Sequence, residues 1–205
     1  EGILWHVLNS AKGVDSNVVV IPTASSIPIE VGSNYRDAFT QLGCTKITIL
    51  DVRTEDEANS PETCKALQEA DCVMMSGGDQ SRLSKMFKGS LAHQILLTRY
   101  QNDNFVIAGT SAGAMVMSEE MIAGGSSRES FLKDAVLMGK GLDLLPGLMI
   151  DSHFIKRGRF GRLAEAVAVH PHLLGVGLAE DTGLIIHERN RATVIGSGMV
   201  VVFDG

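Results

Sequence analysis

Phe105-Val106-Ile107-Ala108-Gly109-Thr110-Ser111-Ala112-Gly113-Ala114 decides how the chain is read. Its first four residues form an apolar run of strand length, and the small residues that follow lead into a helix-like segment expected from Ala114 to Met121. A serine between glycines at such a strand-to-helix turn is lifted clear of the sheet. The glycines tolerate a strained backbone, and the next amide, that of Ala112, points toward a developing oxyanion. Ser111 is therefore a candidate nucleophile. The plainer reading of the same pentapeptide is a βα turn of small residues, a pattern that also arises by chance.

To either side of this stretch, strand-like runs at Val18–Ile21, Ile47–Leu50, Val73–Met75 and Val176–Leu178 alternate with segments of helical period. Tyr35, Phe39 and Leu42 sit at i, i+4, i+7, and Phe160, Leu163, Ala164 and Val167 repeat that spacing, each set giving one buried helix face. Such alternation implies a mostly parallel central sheet flanked by helices. Near the C-terminus, Leu184–His187, Thr193–Ile195 and Val200–Phe203 read instead as short strands joined by tight turns, an antiparallel extension. No repeat, low-complexity tract or linker interrupts residues 1–205, so a single α/β domain is expected.

With 205 residues and 44% hydrophobic content, the chain is long and apolar enough to bury one substantial core. A formal charge of -6 argues against nucleic acid and suits a small-molecule or peptide partner, a cationic one in particular. No apolar run approaches the roughly 20 residues of a membrane span, so no membrane role is expected. Cys44, Cys64 and Cys72 lack both zinc-site spacing and the density of a disulfide scaffold, and read as reduced thiols. They point weakly to the cytoplasm, with secretion left open; no basic and apolar leader is visible after Glu1.

Ligands of open α/β sheets collect at the carboxyl ends of the strands. Four segments stand there: Ser76-Gly77-Gly78-Asp79-Gln80, the Ser111 turn, Asp151-Ser152-His153 after Leu148–Ile150, and Glu180-Asp181 after Val176–Ala179. Together they hold the parts of an acyl-transfer site: His153 to take the Ser111 proton, Glu180 to orient the imidazole, and the amides of Gly78 and Ala112 as an oxyanion hole. Singly, each has an ordinary alternative. His153 reads as a structural histidine, Gly77-Gly78 as a tight turn and Glu180 as a cap, with Asp181 the orienting acid in its place. Lys156, Arg157, Arg159 and Arg162 concentrate positive charge that suits a carboxylate ligand, or that pairs with the protein's own acids. Arg159 and Arg162 fall near a helix start, where the dipole disfavours cations unless an anion offsets it.

The order serine, histidine, acid excludes the usual α/β-hydrolase order. The chain resembles the serine peptidase family that contains cyanophycinase and α-aspartyl dipeptidase. The likeness lies in Ile21-Pro22-Thr23-Ala24-Ser25, Ser76 through Gln80, Gly109 through Ala114, Ile122-Ala123-Gly124-Gly125-Ser126-Ser127, and Asp151 through Leu163. The arginine-rich segment after His153 favours the cyanophycinase branch. The resemblance implies a fold like that of class I glutamine amidotransferases, although those enzymes carry a cysteine at the elbow. It further implies a serine exopeptidase that hydrolyses cyanophycin, multi-L-arginyl-poly-L-aspartate, to β-Asp-Arg dipeptides through an acyl-enzyme on Ser111. His153 and Glu180 fall at the family's base and acid, Gly78 and Ala112 at its oxyanion hole, and Gln80, Asp151, Arg157, Arg159 and Arg162 at positions of substrate binding or pocket architecture. The resemblance implies no metal or cofactor, and it implies a homodimer. Alternatives are an aspartyl dipeptidase acting on other acidic peptides and a non-catalytic protein that binds Arg/Asp peptides. Ser152 departs from the glutamine of the cyanophycinase pattern, which bears on the substrate subsite. The family's opening strand is not visible in Glu1–Gly13 and its continuation past Gly205 is absent, so incomplete ends are expected.

Overall fold

The computed structural model describes residues 2–124, 136–187 and 190–205. It is an α/β protein whose chain gathers into two compact units, Glu1–Gly113 and Ala114–Gly205. The first contains α1 (Ile3–Ser10), β1 (Val18–Ile21), α2 (Pro28–Gln41), β2 (Ile47–Ile49), α3 (Glu55–Ala58), α4 (Pro61–Glu69), β3 (Cys72–Met75), α5 (Gln80–Phe87), α6 (Leu91–Asn102) and β4 (Val106–Gly109). Its sheet has the order β2-β1-β3-β4, and every pair is parallel. All four residues of β1 and of β3 are buried, as expected where helices cover both faces of a parallel sheet. That is why these strands are unbroken apolar runs rather than alternating ones.

Local sequence starts the helices of this unit. Asp79 accepts from the Ser81 amide at 2.9 Å to cap α5, Ser90 accepts from His93 at 3.1 Å to cap α6, and Thr54 and Glu57 form a reciprocal capping box on α3. Phe39 of α2 packs with Leu8, Val18, Val20, Cys44, Cys72 and Met74 in a buried cluster. The three cysteines are free; Cys44 and Cys72 are buried. Burial pushes the Cys72 thiol up to about 12, with Cys44 and Asp71 adding to the rise.

The chain leaves the first unit within α7 (Ala112–Met115). Here the structure corrects one expectation: the helix foreseen from Ala114 to Met121 ends at Met115, and Glu120–Gly124 is a strand, β5. The cause is tertiary. The carbonyls of Val116, Met117, Ser118 and Glu119 accept from the amides of residues 141–145 rather than from a continuing helix, including Leu142 to Val116 at 2.7 Å and Gly141 to Glu119 at 2.7 Å. Part of the motif Ile122–Ser127 lies outside the described residues.

The second unit continues with β6 (Leu137–Lys140), β7 (Leu148–Asp151), α8 (Phe160–Val169), β8 (Leu174–Leu178), β9 (Thr182–His187), β10 (Arg191–Gly196) and β11 (Val200–Phe203). β7 and β8 are parallel, β11 joins β8 antiparallel, and β5/β6 and β9/β10 form antiparallel pairs. Its core gathers Ile122, Met149, Ile150, Phe154, Leu163 and Val176. Phe154 lies against Gly177, where a Cβ would come within 2.5 Å of its ring. No helix among the described residues is long and apolar enough to cross a membrane.

Candidate active site

β4 ends at Gly109, and the backbone turns at once: the Thr110 amide donates to Met75 at 3.1 Å and the Gly113 amide to Thr110 at 2.9 Å. Between these bonds Ser111 takes φ +52°, a left-handed conformation unusual for a residue with a Cβ. Holding it costs about 1–3 kcal/mol, which the surrounding contacts must overcome, as is typical of residues that do chemistry. Gly113 permits the turn, because any Cβ there would run into the Met75 carbonyl. The adjoining Tyr35 phenol is pushed up to about 12 by burial, with a hydrogen bond to the Thr110 side chain pulling the other way.

The Ser76–Gln80 loop after β3 meets this turn. A Cβ on Gly77 would lie 3.4 Å from Ser111 Cβ and 3.9 Å from Ser111 Oγ, so the bare face of Gly77 is turned toward the serine. Gly78 has φ +142° and lies against the Ala24 carbonyl, where a side chain would collide. Neither the Gly78 nor the Ala112 amide donates to an acceptor among the described residues. Gln80 opens α5 and is half-buried. Sequence reading singles out Gly78 rather than Gly77 as a site residue, although it takes the two glycines together as a tight turn or an oxyanion loop.

The second unit holds the other residues. Parallel pairing of Asp151 with Gly177 brings the ends of β7 and β8 level, so that His153 and Glu180 leave neighbouring strand ends. His153 Nδ1 stands 3.1 Å from Glu180 Oε1; an ionised carboxylate only accepts, so Nδ1–H is the donor of this pair and Nε2 is left as the acceptor nitrogen. Desolvation alone would raise the Glu180 carboxyl. Its own backbone amide, the His153 ring and the Lys156 charge outweigh that and hold it below the ordinary glutamate range. Asp181 instead accepts from the Ser197 hydroxyl at 2.5 Å. His153 and Asp181, like Ser111, are non-glycine residues at positive φ, +51° and +49°.

Asp151 is completely buried and takes two guanidinium groups: Arg162 Nε at 2.6 Å, with Arg162 Nη2 on the other oxygen, and Arg159 Nη1 at 3.1 Å. Arg159 also donates to the Ser152 carbonyl at 2.6 Å. Asp151 is thus the anion that makes cations tolerable at the start of α8. Burial lowers the Arg159 guanidinium, with Arg162 and Arg157 acting in the same sense and Asp151 opposing, yet an arginine stays charged. Arg157 is exposed, and its amide donates to the His153 carbonyl at 3.1 Å. The Ser152 hydroxyl is turned onto Met115 Sδ at 3.3 Å.

The strand ends of the first unit carry a strained serine and two amides without an acceptor among the described residues, and those of the second a His–Glu pair, residue types that acyl transfer uses. Residues 1–194 match the sequence profile of peptidase family S51. The chain is 38% identical to a cyanophycinase of Trichormus variabilis over 98% of its own length and 68% of that protein. It is 35% identical to a cyanophycinase of Geminocystis herdmanii, over 98% of this chain and 73% of that one. The crystal structure of a peptidase from an acI-B1 actinobacterium superposes with a TM-score of 0.73 at 23% identity, covering 98% of this chain and 83% of the other, a likeness of fold. The chain belongs to peptidase family S51, and it is a peptidase.

Proposed function

We propose that the protein is a serine exopeptidase that hydrolyses cyanophycin, a poly-aspartate with arginine on each side-chain carboxyl, and releases β-Asp-Arg dipeptides. The observation that carries the substrate is identity of 35–38% to cyanophycinases over 98% of the chain. The mechanism rests on the left-handed Ser111 and on the 3.1 Å His153–Glu180 pair. Ser111 Oγ attacks the scissile carbonyl while His153 Nε2 takes its proton, and Glu180 steadies the imidazolium. The Gly78 and Ala112 amides receive the oxyanion. His153 then protonates the leaving amine, and a water deprotonated by the same nitrogen releases the acyl group.

Substrate selection falls to Gln80, Arg157 and the Asp151–Arg159–Arg162 cluster. Arg157, exposed beside His153, suits direct contact with a substrate carboxylate, and the buried cluster suits shaping of the pocket wall. The two units act together as one catalytic domain, in keeping with the family match that runs through both. The working form is a homodimer in the cytoplasm. An aspartyl dipeptidase is the second reading. It is favoured by Ser152, which stands where the cyanophycinase pattern carries a glutamine.

The test is incubation of the parent and Ser111→Ala with insoluble cyanophycin, with products identified by mass. Clearing to β-Asp-Arg by the parent alone is expected. Cleavage of aspartyl dipeptides without clearing would select the second reading.

A further inference from the structure

Arg53 follows β2 and reaches back under the loop after β1. Its Nη1 donates to the Ser25 carbonyl at 3.2 Å and, at the limit of a hydrogen bond, to the Thr23 carbonyl at 3.5 Å. These two carbonyls flank Ala24. The Ala24 carbonyl in turn accepts the Asp79 amide at 2.9 Å, and Gly78 lies directly against it. The buried Thr23 hydroxyl closes the same segment onto Val52 at 2.9 Å. One guanidinium nitrogen therefore holds the carbonyls just before and just after that of Ala24, the carbonyl that seats the Ser76–Gln80 loop, whose Gly77 faces Ser111.

We propose that Arg53 is a positioning residue for the oxyanion hole, fixing the tilt of the Ala24 peptide and through it the aim of the Gly78 amide. The inference rests on the reading of Ser111 as nucleophile. Two features favour positioning over simple stabilisation. Asp51 Oδ1 lies 2.5 Å from Arg53 Nε and neutralises the cation, so little of its charge reaches the oxyanion. Arg53 Nη2 is buried without a partner among the described residues, an arrangement that stability alone would not retain. An oxyanion donor must lie within a few tenths of an ångström of its best position to keep its effect. A planar guanidinium anchored on Asp51 through Nε and on the two carbonyls through Nη1 supplies that rigidity, and lysine, with a single ammonium, does not.

The experiment measures the rate at which a fluorophosphonate labels Ser111, because its phosphoryl oxygen draws on the same donors whatever the natural substrate. Rates are compared for the parent, Arg53→Met and Arg53→Lys, with unfolding midpoints measured in parallel. Folded Arg53→Met is expected to label about 10- to 100-fold more slowly, less than the roughly 10²- to 10³-fold cost of removing an oxyanion donor outright. Millimolar guanidinium ion should restore part of the rate. A purely structural role would lower the midpoint and leave the rate per folded molecule unchanged. Labelling of folded Arg53→Met at the parent rate overturns the inference while leaving the nucleophile intact. Should Arg53→Met not fold, Arg53→Lys decides: a several-fold slower rate supports the inference, and the parent rate overturns it. A parent that is not labelled at Ser111 removes the nucleophile, and this inference with it.

Discussion

Ser111 and His153 are both held in left-handed backbone, but the two units hold them by different means. In Glu1–Gly113 the fixing groups are main chain: the Thr110–Met75 bond, the bare faces of Gly77 and Gly113, and Gly78 against Ala24. In Ala114–Gly205 they are charged side chains: Glu180 on His153, and Arg159 and Arg162 on Asp151. Backbone placement takes no part in protonation but tolerates no added Cβ. Side-chain placement tolerates bulk but depends on the number and sign of charges. Substitutions that respect one rule and break the other separate the two.

The largest effect is expected on the charged side. Glu180→Gln keeps the shape but no longer fixes the imidazole tautomer, and kcat should fall about 10⁴-fold. Asp181→Asn should stay within a few-fold of the parent, since Asp181 faces Ser197. Equal losses from the two would show that the 3.1 Å pair is not the working one.

Asp151→Asn leaves two guanidinium groups without their anion in a buried site, a loss of about 3–5 kcal/mol that a thermal melt would register. Asp71→Asn removes the anion facing the 66% exposed Lys12 but keeps an oxygen for the Asn17 amide, and should change stability by less than about 1 kcal/mol. On the backbone side, Gly78→Ala adds one methyl and no charge. It should lower kcat about 10²- to 10³-fold by turning the amide away, with a smaller change in KM.

The smallest effect concerns pH in the first unit. Tyr35 and Cys72 both titrate near 12 in the fold, above ordinary values of about 10 and 8.5, so folding favours their protonated forms. Their contribution is complete below the unfolded values and is lost as pH rises from about 9 through 12. A shallow decline in unfolding midpoint over that window should follow, and Tyr35→Phe should flatten part of it.

The same contrast explains what was legible in the sequence. The strands of the first unit are buried on both faces, so β1 and β3 stand out as continuous apolar runs, and the serine turn announces itself through its glycines. The antiparallel C-terminal strands were visible from their spacing. The helix expected over Ala114–Met121 failed because residues 116–119 spend their carbonyls on amides some 25 positions away, which no local pattern encodes. α1 was missed for want of a signal, as Gly2 supplies no side-chain cap. The arginines after His153 were visible as a charge cluster. Their commitment to Asp151 depends on β7 and α8 meeting in space, and only the folded chain reveals that Arg159 and Arg162 are half-buried and buried while Arg157 stays exposed.

The most direct test of the account is to treat the protein with a serine-directed organophosphonate and to map the adduct in the parent and in His153→Ala. The account predicts a single adduct on Ser111 in the parent, formed at least about 10²-fold more slowly without the histidine. An adduct elsewhere, or labelling of Ser111 at an unchanged rate in His153→Ala, would contradict it.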